Sequence, residues 1–64
     1  MFCEWSGNTT KLYHDNRQLH RVFHSRLPVQ CAQVSGDGNS ARIAITMSNG
    51  RTELYEGTGR LIRR

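Results

Sequence analysis

Residues 41–64 read ARIAITMSNGRTELYEGTGRLIRR, and this stretch decides the fold. Ala41, Ile43, Ile45 and Met47 alternate with Arg42, Ala44 and Thr46, the period of two that a strand shows when it buries one face. Asn49-Gly50 follows, a dipeptide that suits a two-residue type I′ hairpin because both central residues of that turn need positive φ. Thr52-Glu53-Leu54-Tyr55 forms the return strand, Gly57-Thr58-Gly59 turns again, and Arg60-Leu61-Ile62-Arg63 comes back. Two-residue turns set Met47 against Thr52, Ile45 against Leu54 and Leu54 against Leu61. One buried face is then expected to carry Ile43, Ile45, Met47, Leu54 and Leu61, and Leu54→Asp to unfold the chain.

Working outward, the same unit occurs earlier. Ser6, Thr10, Leu12, Tyr13, Leu19 and Arg21 recur unchanged at a spacing of 42 as Ser48, Thr52, Leu54, Tyr55, Leu61 and Arg63. Cys3 and Trp5 fall on Ile45 and Met47, apolar on apolar, and Gly7-Asn8 replaces Asn49-Gly50 as the turn. The spacing lies within the roughly 40–45 residues of a four-stranded propeller blade. Residues 2–5, 9–14 and 17–23 read as strands, with Asp15-Asn16 turning the chain between the second and third. Pro28 cannot donate to a ladder, so the sheet changes partner near residues 24–28. Residues 29–34 make a fourth strand, and the polar loop at 35–40 leads into the fifth. Helical periodicity is absent, and no loop is long enough for a linker. The expected architecture is all-β, one domain over residues 1–64. It is an antiparallel meander of six to seven short strands with an internal blade-like repeat, its halves at 1–24 and 29–64 being joined by 25–28. The sheet is either open or a small barrel, and oligomerisation completes it.

Those residues carry a resemblance. The apolar strand at 29–34, Ser35-Gly36-Asp37-Gly38, Ile43-Ala44-Ile45, Ser48-Asn49-Gly50, Leu54-Tyr55 and Gly59-Arg60-Leu61-Ile62 together resemble one blade of a β-propeller of the WD-repeat type. Residues 1–23 are similar to the last three strands of a preceding blade, about one and three-quarter blades in all. Leu12-Tyr13 and Leu54-Tyr55 stand where that type has Trp-Asp, and no glycine precedes His24. Since a closed propeller takes about 4–8 blades, the resemblance implies that several chains share one ring.

Size and charge narrow the function. A chain of 64 residues buries only about 60% of its unfolded surface, which makes disulfides, metals or oligomers valuable. A lone meander also leaves strand edges unpaired, so a homo-oligomer is the expected state. The net charge is +4, and eight of nine cations are arginine. Guanidinium matches phosphate and carboxylate in two-point fashion, which points to anionic partners. Small β domains hold single-stranded DNA or RNA with such cations and aromatic platforms. Trp5, Tyr13, Arg17, Tyr55 and Arg60 are the candidate binding surface; the competing reading packs the two tyrosines and lays Arg60 on Tyr55 as an internal cation–π pair.

Other chemistry finds less footing. His14, His20, His24, Cys3 and Cys31 are the only plausible metal ligands, but two residues of one strand face four apart stand about 13 Å from each other at about 3.3 Å per residue. No Cys-x-x-Cys motif is present, and no metal or cofactor is expected. Cys3 and Cys31 alternate with apolar neighbours as buried free thiols do, and with no basic-apolar leader at residues 1–20 a reducing cytoplasm is the expected setting. No apolar run approaches the roughly 20 residues of a membrane helix. There is no nucleophile elbow, and Glu53 and Glu56 point to opposite strand faces. The leading expectation is therefore a non-enzymatic binding or assembly module that self-associates, and the alternative is a small basic domain for single-stranded nucleic acid.

Overall fold

The alternation of residues 41–64 becomes three strands and extends to seven in the computed structural model, which describes all residues 1–64. They are β1 (Phe2–Ser6), β2 (Thr9–Tyr13), β3 (Leu19–His24), β4 (Val29–Ser35), β5 (Arg42–Met47), β6 (Thr52–Glu56) and β7 (Leu61–Arg63), with one short 3-10 turn at Gly38–Ser40 before β5. They form two open antiparallel meanders, β1-β2-β3 and β4-β5-β6-β7, and no closed barrel. The break between sheets falls at residues 25–28, where Pro28 lacks the N–H that would continue a ladder.

The two sheets share one core. Leu12 and Phe23 from the first sheet pack with Ala32, Ala41, Ile43 and Ile45 from the second, and Met1, Cys3, Val29, Val34 and Tyr55 close around them. The Phe23 and Tyr55 rings meet across the sheets at 5.0 Å between centroids. β1 lies close to β4 without a ladder between them, and the strands at the far ends of the two meanders are β3 and β7. The exposed surface is 4245 Å², against about 4,200 Å² for a free-standing monomer of this mass. The single chain therefore already has the surface of a compact monomer.

Hairpin geometry corrects the expected register. The Gly7-Asn8 turn is of the two-residue kind, with Ser6 opposite Thr9 and positive φ at Gly7 alone, as a type II′ turn requires. The Asn49-Gly50 turn is not. Asn49 keeps a negative φ while Gly50 sits at +84°; the Met47 N–H donates to the Arg51 carbonyl at 2.8 Å and the Gly50 N–H to the Met47 carbonyl at 2.9 Å. This is a three-residue loop in which a type I turn ends in a left-handed residue, and it adds one residue to the connection. Ile45 consequently faces Glu53, Ile43 faces Tyr55, and Leu54 faces Ala44. A one-residue shift turns every side chain of a strand over. Tyr55 thus joins the core, whereas Leu54 sits on the outer face of the second sheet. The expected pairs Met47–Thr52, Ile45–Leu54 and Leu54–Leu61 do not form.

The same three-residue loop closes two more hairpins. His14 and Gln18 bracket Asp15-Asn16-Arg17, and Glu56 and Arg60 bracket Gly57-Thr58-Gly59, each with the same two backbone bonds. Arg17 takes φ +70° where Gly59 takes +95°. The third strand therefore begins at Leu19, because Arg17 belongs to the turn.

Candidate functional site

The sequence marked Trp5, Tyr13, Arg17, Tyr55 and Arg60 as one surface, and the fold separates them. Trp5 and Tyr13 line a shallow groove of about 130 Å³ with Glu4, Ser6, Thr9 and Lys11, and Tyr13 stacks on Phe2 at 5.2 Å. Tyr55 is on the opposite side of the core, packed on Phe23, its hydroxyl donating to the Glu53 carboxylate at 2.9 Å. Burial first, and then that carboxylate, push the Tyr55 phenol above its ordinary range. Arg60 does not lie over Tyr55: the added turn residue puts Leu61 there, and the guanidinium stands 4.0 Å from Glu56 in solvent. Arg17 projects from the exposed β2–β3 turn.

Three other arginines do come together. Arg26, Arg51 and Arg64 surround a groove of about 330 Å³ floored by Leu27 and Met47, with Asn49, Thr52 and Glu53 completing its wall. Arg42 and Arg60 each lie within 4.0 Å of Glu56, and none of the three groove arginines has such a carboxylate partner. The one acid in the groove, Glu53, accepts from Tyr55. Sequence spacing gave no sign of this group, because Arg26 enters from the irregular connection after β3 and Arg64 from beyond β7.

A second cluster was equally hidden. His14 Nε2 lies 3.1 Å from His20 Nδ1, and His20 Nε2 lies 2.8 Å from the Gly57 carbonyl oxygen. A carbonyl only accepts, so His20 carries its proton on Nε2, and in the neutral pair His14 donates from Nε2 to the free His20 Nδ1. Arg21 Nε donates to the same Gly57 oxygen at 3.3 Å. The set fastens the β2–β3 hairpin to the β6–β7 turn. It became possible because His20 is the extra residue of a bulge opposite Leu12 and Tyr13. No three His, Cys, Asp or Glu side chains converge as metal ligands.

Elsewhere, the Met1 ammonium donates to Asp15 at 2.8 Å; this bond raises the amine's pKa and lowers that of the carboxyl. Cys3 and Cys31 are free and half-buried, and burial pushes the Cys3 thiol upward. No protein-family model, curated protein or solved structure matches this chain.

Proposed function

We propose that the chain is a small, non-enzymatic β-sheet module for binding and assembly that associates with copies of itself. One observation carries the reading: β3 and β7, the edge strands at the far ends of the two meanders, each show solvent a large aliphatic side chain, Leu19 at 52% exposure and Ile62 at 42%. An open edge with apolar side chains is a surface that natural sheets cover. A three-strand meander followed by a four-strand meander also supports reading the halves as blade-like units that further copies extend. The His14–His20 pair is held in structural hydrogen bonds and Cys3 and Cys31 are free thiols; on this reading the module is non-enzymatic and its setting is the cytoplasm. The experiment is the solution mass as a function of concentration: association raises it in whole multiples of the 7.3 kDa chain, and a single-chain mass at every concentration defeats the proposal.

A second reading is favoured by the Arg26–Arg51–Arg64 groove. Three guanidiniums without carboxylate partners suit phosphate oxygens, and a single-stranded nucleic acid is the polyanion that supplies them in series. Salt separates the two readings. Phosphate binding weakens steeply as salt rises, whereas association of chains that each carry +4 is favoured by screening.

A further inference from the structure

The two halves carry the same residues at equivalent positions and bury opposite ones. Thr10 and Leu12 of the first sheet are wholly buried against the second sheet. Their counterparts Thr52 and Leu54 lie on the far face of the second sheet, the first exposed and the second half-exposed. The reverse holds one residue along. Tyr55 packs inward on Phe23, while its counterpart Tyr13 lies on the outer face of the first sheet, stacked on Phe2, with Leu19 paired beside it.

Local structure is conserved between the halves, so the difference is one of stacking. β2–β3 and β6–β7 share their turn and their bulge, and Leu12 faces Arg21 as Leu54 faces Arg63. Let the face bearing Leu12 or Leu54 be the front and the face bearing Tyr13 or Tyr55 the back. Inside the chain, the front of the first sheet meets the back of the second. Both sheets point the same way, so one end of the stack is an uncovered back (Phe2, Tyr13, Leu19) and the other an uncovered front (Thr52, Leu54, Arg63). These are the two kinds of surface that the interior already joins.

From this we infer that a second copy of the chain seats its Tyr13 face on the Leu54 face of the first, repeating the internal contact from copy to copy. The polar contacts carry over as well. Arg21 reaches the Gly57 carbonyl across the internal contact; 42 positions separate Arg21 from Arg63 and Asp15 from Gly57. The guanidinium of Arg63 therefore arrives at the Asp15 turn of the next copy, where the Asp15 carboxylate is 90% exposed and accepts from the Met1 ammonium with one oxygen. The contact joins two different patches, so it closes into a ring or runs on as a filament rather than forming a two-fold dimer.

This inference rests on the self-association proposed above, and three variants test it by light scattering and circular dichroism. Leu54→Asp is expected to keep the β spectrum and fall to the mass of one chain. Arg63→Asp and Asp15→Arg, both at exposed positions, are each expected to weaken association about tenfold through like-charge contact, and the double variant to restore it. A wild-type oligomer whose mass is unchanged by Leu54→Asp and Arg63→Asp overturns the face contact and leaves association through the edges standing. A two-fold dimer, or a double variant no better than the singles, also overturns it. A monomeric wild type removes the self-association reading itself.

Discussion

Arg17 holds φ +70°, a region where the Cβ of an L-residue crowds the following carbonyl at a cost of about 1–2 kcal/mol. The equivalent position in the second half is Gly59 and that in the β5–β6 turn is Gly50, so the chain twice uses glycine for this backbone shape and once does not. Asn16 helps to hold the turn, its Oδ1 accepting from the Gln18 N–H at 3.1 Å, as Asn49 does from Arg51 at 3.0 Å. Arg17→Gly relieves the crowding but adds unfolded-chain freedom of about 0.5–1 kcal/mol. The net expectation is stabilisation of about 0.5 kcal/mol, a rise of a few degrees in Tm for a domain this small. Thermal melts check it. A lower Tm would mean that the guanidinium contributes more than its backbone strain costs.

At the scale of the element, one residue in a loop decides which side chains meet. The strands, their order and the sheet break at Pro28 were legible from alternation, glycine and proline, because these signals are local. The second face of the core was not. Asn49-Gly50 announces a hairpin, but the dipeptide is compatible with both a two-residue loop and a three-residue loop with glycine last, and only the pairing of Ile43 with Tyr55 tells them apart. The arginine groove and the histidine pair escaped for a related reason: a connection without hairpin chemistry places Arg26, and a bulge places His20. The two registers make different mutational predictions. With Tyr55 packed on Phe23, Tyr55→Ala is expected to cost about 2 kcal/mol, and Leu54→Ala, on the outer face, less than about 1 kcal/mol. Urea melts of both variants under monomeric conditions give the order, and a larger loss at Leu54 would restore the two-residue turn.

For the whole molecule, the proposed contact makes the internal repeat a device for stacking. The chain has the surface of a compact monomer, yet it ends in two unlike sheet faces whose counterparts are already joined in its interior. Its charge works against association: Arg60, Arg63 and Arg64 crowd the β7 edge, and each copy carries +4. Apolar contact between faces must overcome that repulsion, and added salt shortens its range to about 3 Å at 1 M. The measurement that bears most directly on this account is the absolute mass from size-exclusion chromatography with light scattering at low and at high salt. The account predicts a mass well above that of one 7.3 kDa chain, in whole multiples of it, that persists or grows as salt is raised. A single-chain mass at both salt concentrations would contradict it, and would turn attention to the Arg26–Arg51–Arg64 groove and an anionic partner.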